Sequence, residues 1–435
     1  MTPATPTADV TGGAATATAG TTGTATTGTA TAGATGSPAA AAAAAAVATG
    51  RATGTAAAGS LPPAVRDLVA GCRELGAELR TLALAVDRTP EDHRLLRRSG
   101  ALELLRVVGT PERFRPHPVP AWAREFTASC LGRVAANIEL ARGDAGVLNA
   151  CAAPSLAGFT VDALGDERQQ ELFYGELART GCWTFFGMTE PEHGSDATAL
   201  RTRLDRDPAG GYLMHGTKRY VANAERGSIG VVFARVGPTP LSIRAVLLKR
   251  PAPGFTGSPL EMLGLRGARI GEMRFDSVPV PEEHVLGRHL PLSRRGLWGA
   301  NRAFTVVRLQ IAAQALGVAH AIHDQVRALR PGRPGHDLVT ARLDAARQLL
   351  YDTAAEVDAR PDDREPACVA KLHTTHLAVR TARWAERELP PGALAGHPLL
   401  EKWCRDVCAF EFMDGTTNIL RLAVAPAPAS HREGS

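Results

Sequence analysis

Apolar residues recur three and four apart from Leu61 to about Thr180. Near Trp183 they give way to short alternating or β-branched runs, and helical spacing returns at Leu297. A chain with this order of textures fits neither a plain helical bundle nor an all-β sandwich. It calls for an α+β multi-domain architecture: an N-terminal helical domain, a small β-barrel domain and a C-terminal four-helix bundle. Pro62-Pro63 opens a helical run over Ala64 to Val86, and Thr89-Pro90-Glu91-Asp92 reads as the start of a second. Amphipathic stretches follow at Trp122 to Arg142 and Asp166 to Arg179. Strands are expected at Tyr212 to Gly216, Ile229 to Val236, Ser242 to Leu248 and Met273 to Val280, parted by Gly/Pro turn clusters. Helices are expected again at Leu297 to Val326, Leu338 to Ala359, Ala367 to Arg387 and Leu399 to Phe412.

Ahead of all this, Met1 to Ser60 is almost wholly Ala, Thr and Gly, with Asp9 and Arg51 as its charges. Such a segment has almost nothing large and apolar to bury, so it cannot offset the entropy of ordering. The expected organisation is a disordered tail over 1–60, a helical domain over 61–182, a β domain over 183–290, a helical bundle over 291–425 and a disordered end over 426–435.

The net charge is +5, and Lys218, Lys249, Lys371 and Lys402 are the only lysines. The arginines are scattered among acids rather than gathered into a stripe, which argues against a nucleic-acid partner. No run approaches eighteen consecutive large apolar residues, so no membrane span is expected. Seven cysteines without a CxxC pair fit reduced thiols in a cytoplasmic setting. Cys404 and Cys408, or His373 and His376, lack a third ligand nearby, so no metal is expected.

The most specific stretch is Trp183-Thr-Phe-Phe-Gly-Met-Thr-Glu-Pro-Glu-His-Gly-Ser-Asp196. Its hydroxyls and Gly-rich backbone suit a flavin edge or a pyrophosphate. Four further pieces follow in order: Lys218 to Ala224; Phe275 to Pro281 with Val285-Leu-Gly287; Ala313-Gln-Ala-Leu-Gly317; and Met413-Asp-Gly-Thr-Thr-Asn-Ile-Leu-Arg421. Together they resemble the acyl-CoA dehydrogenase family over roughly Leu61 to Val424, with the flavin loop closest in wording to the glutaryl-CoA dehydrogenase branch.

The resemblance implies FAD as cofactor and a flavoprotein oxidoreductase acting on an acyl-CoA or an acyl-carrier-protein thioester. It places Phe186, Met188 and Thr189 along the isoalloxazine, Gly194 and Ser195 near the pyrophosphate, and Gly415, Thr416 and Asn418 beside the flavin. Asp414 falls on the position of the catalytic base, which would take the α-proton as hydride leaves the β-carbon for flavin N5. Electrons would then pass to an electron-transferring flavoprotein or to oxygen.

Against that pattern Asp414 is one methylene shorter than the usual Glu. The alternative base position, just before Arg308, is Val307. Ala222 stands where the family usually has a Thr hydroxyl, and Tyr220 replaces the usual Trp. In the family a neighbouring subunit grips the far half of the FAD. Here the first segment that would do so reads Arg333-Pro-Gly-His336, and the second reads Arg387-Glu-Leu-Pro-Pro391. Two prolines lack the N–H groups and positive φ of two glycines. A homo-oligomer (dimer or tetramer), or a hetero-oligomer with a paralogue, is therefore expected to complete the site.

These departures point to a specialised biosynthetic substrate. They also leave two alternatives, a same-fold flavin oxidase of the nitroalkane oxidase type and a half-site subunit paired with a related chain. His193, Trp183, Trp403 and Arg421 read as structural residues. Deleting Met1 to Gly59 is expected to leave the melting temperature and flavin content unchanged; a clear drop in either would show that the tail contains an ordered, packed element.

Overall fold

A computed structural model describes residues 61–425; the two terminal segments expected to be disordered lie outside them. Eleven helices of five or more residues are numbered here. The N-terminal ones are α1 (Pro63–Arg88), α2 (His93–Arg97), α3 (Gly100–Gly109), α4 (Cys130–Leu148), α5 (Ser155–Leu164) and α6 (Glu167–Thr180). The C-terminal ones are α7 (Leu297–Leu329), α8 (His336–Ala359), α9 (Glu365–Glu388), α10 (Pro398–Ala409) and α11 (Thr417–Val424). Between them run β1 (Thr184–Gly187), β2 (Arg203–Arg206), β3 (Tyr212–Val221), β4 (Ile229–Arg235), β5 (Ile243–Lys249), β6 (Phe255–Pro259) and β7 (Gly271–Val280).

The expected helical, β, helical order is present. The strands form one curled sheet in the order β1-β4-β2-β3-β7-β6, with β5 added to β4. Alternation along β4 and β5 divides two cores. Val231, Phe233, Ala245 and Leu247 face the helices, among Val161, Phe173 and Leu177. Val232, Ala234, Val246 and Leu248 face inward with Phe185, Met214 and Phe275. Period-two patterning with both faces apolar is what a sheet covered on both sides requires.

Two helix boundaries differ from the sequence expectation. Thr89 closes α1, and the cap of the next helix is Asp92, whose carboxylate accepts from Arg94 N. The stretch from Trp122 to Arg142 is broken at Ser129, whose hydroxyl accepts from Gly132 N at 2.9 Å. The Asp358 carboxylate of α8 accepts from Cys130 N at 2.7 Å, so a partner remote in sequence completes that helix start.

The long helix α7 packs against α4, α8, α9 and α10. By length and composition alone the segment Leu292–Leu329 could cross a membrane, but 83% of its apolar window is buried inside the fold. It is a core helix, made apolar by alanines rather than by the large residues considered in the sequence. Gly317 lets it lie against α4, since a Cβ there would meet the Ile138 carbonyl at 2.3 Å. Gln314 of α7 donates to Asn137 Oδ1 and accepts from Asn149 Nδ2, so the polar atoms of this seam are paired.

At the other side of α4 the helix is interrupted at Asp144 (φ −166°, ψ 120°). The Asp144 carboxylate accepts from Val147 N (2.8 Å), Lys402 Nζ (2.7 Å) and Trp403 Nε1 (3.1 Å). Lys402 also donates to Asp406, which accepts from Leu265 N in the turn before β7. Burial acts to lower the Lys402 ammonium, but Asp144 and Asp406 together carry it above its ordinary value. Lys402→Met would leave two buried carboxylates without their cation. The expected cost is about 3–5 kcal/mol in urea unfolding; an unchanged unfolding midpoint would show that the network contributes nothing to stability.

Candidate active site

The loop after β1 is built around one buried ion pair. Glu190 accepts from Lys218 Nζ (2.8 Å), Arg201 N (2.6 Å), Thr202 N (2.8 Å) and Thr202 Oγ1 (2.6 Å). Lys218 also donates to the Met188 carbonyl at 3.0 Å, and Arg219 N donates to the Thr189 carbonyl at 2.8 Å. Burial lowers the Lys218 ammonium to about 8 against the pull of Glu190. Burial would raise the Glu190 carboxyl, but Lys218 and the surrounding donors hold it below its ordinary value. The two directions are compatible: at neutral pH both groups are ionised and each is satisfied by the other.

This pair fixes the segment that the sequence assigns to the cofactor. Phe186 ends half-buried on β1 and Met188 is buried, while Gly194 and Ser195 are exposed at the loop tip. Among the described residues no carbonyl or side chain takes the backbone N–H of Gly194 or Ser195. His193 carries a buried Nε2 with no partner. At the end of β3 lie exposed Tyr220 (φ 59°, 59% exposed), half-buried Ala222 just beyond it, and buried Asn223, whose amide donates to the Thr184 carbonyl at 2.9 Å.

A line of contacts leads from this loop to Asp414. The Phe186 ring meets Phe304 of α7 at 5.8 Å, and the Arg308 guanidinium lies 5.5 Å from the Phe304 centroid. Arg308 Nε donates to the Asp414 carbonyl at 3.0 Å. Asp414 has φ 49° and Gly415 φ 104°, a left-handed kink just before α11. The carbonyls of Met413 and Gly415 both accept from Lys371 Nζ of α9. Thr416 caps α11 through Ile419 N, and Asn418 is exposed beside it. Desolvation pushes the Asp414 carboxyl up, opposed by Lys371 and Arg308. Taken as a whole residue, Asp414 is half-buried. Buried Val307 offers no carboxylate of its own.

Arg333 lies elsewhere. It is half-exposed in the turn after α7 and pairs with Glu388 at the end of α9, 3.7 Å away. Arg308 lies near the start of α7 and Arg333 beyond its end, roughly 30 Å apart at 1.5 Å of rise per residue. Of the residues named from the sequence, all but Arg333 gather around the β1 loop, the β3 end and the Asp414 kink. The positive φ expected of the second donated segment is displaced past the prolines to Gly392 (φ 79°).

The sequence reading passed over Glu190, Lys218 and Lys371. The available signal was the scarcity of lysine in this chain. A side chain kept as Lys where almost every other cation is Arg marks a place that needs a compact ammonium rather than a planar fork.

The near half of the site fits a flavin. It offers unpaired backbone donors at Gly194 and Ser195 for a pyrophosphate, and the exposed Tyr220 ring and half-buried Phe186 ring as apolar surface for a ring system.

The acyl-CoA dehydrogenase middle-domain family model matches residues 185–278, and the C-terminal-domain model matches residues 294–427. An acyl-CoA dehydrogenase of Bacillus subtilis (strain 168) is 31% identical over 280 residues, 60% of this chain and 72% of the relative. A glutaryl-CoA dehydrogenase of Desulfococcus multivorans is 26% identical over 61% of this chain and 72% of its own length. The solved butyryl-CoA dehydrogenase of Megasphaera elsdenii shares the fold at a TM-score of 0.71 and 24% identity, covering 84% of this chain and 97% of that one. The helix-bounded curled sheet is thus a known architecture, and the chain belongs to the acyl-CoA dehydrogenase family of FAD-dependent flavoprotein oxidoreductases.

Proposed function

We propose that this chain is a flavin-dependent acyl-thioester α,β-dehydrogenase in which Asp414 abstracts the α-proton. One observation carries the reading. A carboxyl pushed up by desolvation stands on a kink whose three consecutive carbonyls are held by Lys371 and Arg308, in packing contact with the flavin loop. A carboxylate kept from water is a stronger base than one in solution, as abstraction from a weakly acidic thioester α-carbon demands. Phe186, Met188, Thr189, Gly194, Ser195, Tyr220, Ala222, Gly415, Thr416 and Asn418 would border the cofactor. FAD, when bound, supplies the electron sink for oxidation at the β-carbon.

Acyl-CoA or a carrier-bound acyl group is the proposed substrate, in a specialised biosynthetic step. That narrower role is supported by the departures at Asp414, Ala222 and Pro390-Pro391. A cytoplasmic setting is supported by the described cysteines, all of which are free thiols. An electron-transferring flavoprotein or oxygen would take the electrons, and peroxide formed without an added acceptor would favour the oxidase alternative.

A second reading concerns assembly, and the position of Arg333 favours it. Arg333 lies beyond the end of α7, roughly 30 Å from Arg308, and this distance supports a role toward the flavin of another chain. We infer an oligomer in which each far half-site is completed by a neighbour, either a second copy or a related chain.

Asp414→Asn is expected to slow α-proton exchange of a bound thioester by about 100-fold or more while leaving its Kd within a few-fold of wild type. Asp414→Glu is expected to retain exchange. Exchange at the wild-type rate in Asp414→Asn would remove Asp414 from the role of base.

A further inference from the structure

Three of the four lysines are buried: Lys218 and Lys371 with no accessible surface, and Lys402 at 1%. Lys218 and Lys402 each hydrogen-bond a carboxylate. Lys371 does not. Both of its recorded side-chain bonds go to backbone carbonyls, those of Met413 and Gly415, one on each side of Asp414.

Two carbonyls separated by one residue converge on a single nitrogen only if the backbone curls sharply between them. The curl is present as φ 49° at Asp414 and φ 104° at Gly415. A left-handed conformation is unfavourable for a residue with a Cβ, so something must hold Asp414 there. The tetrahedral ammonium has rotatable donors that suit two converging acceptors, whereas a guanidinium fork suits two parallel ones. Arg308 holds the carbonyl between them from the opposite helix. The charges that face Lys371 are Asp414 and Glu411 on the loop, Arg308 on α7, and the Cys368 thiol on its own helix. Of these, Asp414 exerts the largest attraction on it.

We propose that Lys371 is the positioning residue of the base: it locks the kink that presents Asp414 and supplies the positive charge that keeps this carboxylate ionised. The inference rests on Asp414 being the base. It also accounts for the short side chain, because a loop drawn in on both sides by one cation can set the reach of the carboxylate through the backbone.

Burial lowers Lys371 to about 8. An ammonium with a depressed folded-state value makes the folded chain more stable, not less, as pH rises from about 8 toward the ordinary lysine value. Loss of the Lys371 charge over that window therefore does not itself unfold the chain.

The test uses the full-length protein and three readouts: melting temperature, the pH profile of thioester α-proton exchange, and amide hydrogen exchange of peptides spanning 409–420. Lys371→Met is expected to move the acid limb up by about one pH unit, to slow α-proton exchange by about 100-fold at unchanged ligand Kd, and to speed amide exchange in 411–417. Lys371→Gln keeps a donor without charge, so amide protection should recover in part while the acid limb stays displaced. A folded Lys371→Met with wild-type limb and wild-type protection overturns the proposal. Should the Met variant fail to fold, an undisplaced limb in Lys371→Gln overturns it equally. Asp414→Asn in the same assay separates the two levels. If it retains exchange, the base assignment fails and this proposal with it. If it is inactive while both Lys371 variants behave as wild type, the positioning proposal alone fails.

Discussion

The ammonium of Lys402, sealed between Asp144 and Asp406, is the contact on which the remainder of the architecture depends. Asp144 belongs to α4, Lys402 and Asp406 to α10, and Asp406, by accepting from Leu265 N, holds the turn that leads into β7. One buried cation thus joins the N-terminal helices, the bundle and the β part, beside the Gln314–Asn137 and Asp358–Cys130 hydrogen bonds and the apolar packing between them. Its energetic logic is asymmetric. The assembled triad gains little over a well-packed apolar substitute, but any incomplete version is costly, so the network acts as a specification of how the parts dock. The interruption of α4 at Asp144 belongs to the same device, since a continuous helix would use Val147 N for its own ladder instead of for the carboxylate.

With the parts docked, α7 acts as a ruler. Phe304 and Arg308 near its start meet the flavin loop and the Asp414 kink. Its far end leads into the turn that carries Arg333. A helix of this length is stiff, so groups on its two ends cannot converge on one small molecule within the chain. The geometry of a single helix therefore separates the Phe304 and Arg308 contacts from the turn that carries Arg333.

Much of the fold was legible because the hydrophobic period changes where the architecture changes. The strands β4 and β5 alternate cleanly between two cores, and Asp166 with Gln169 announces the start of α6 by a full capping box. What was not legible came from partners distant in sequence. Ser129 breaks a stretch whose apolar spacing continues across it, because Asp358 of α8 is at hand to complete the new helix start. Thr89-Pro90 looks like a helix entrance, yet Thr89 bonds back to Ala85 and ends the preceding one. Alanine raises the mean hydropathy of α7 without adding bulk, so a core helix reaches the length and composition of a membrane span while lying buried in the fold. In the site, the residues that the proposed reading sets beside a cofactor could be named from their motif. Their supports, Glu190, Lys218 and Lys371, could not, because a buried ion pair or a carbonyl clamp leaves no local pattern.

The departures from the family pattern fall into two kinds, and they follow the two ends of α7. Near its start they change side chains on an intact backbone: Asp for Glu at 414, Ala for Thr at 222, Tyr for Trp at 220. The loops beneath them remain pinned by Lys218, Lys371 and Arg308. Beyond its far end the changes alter the backbone itself, with Pro334 in the turn at Arg333 and prolines at 390 and 391. A side-chain change can be offset by the shape of a well-held loop, whereas a lost backbone donor has no substitute within the same turn. In the proposed reading, proton abstraction therefore depends on elements this chain carries complete. Retention of the cofactor depends on elements that a neighbouring chain must help to supply. The two properties become separable, and a chain of this kind can keep its base chemistry while sharing, or ceding, its hold on the flavin.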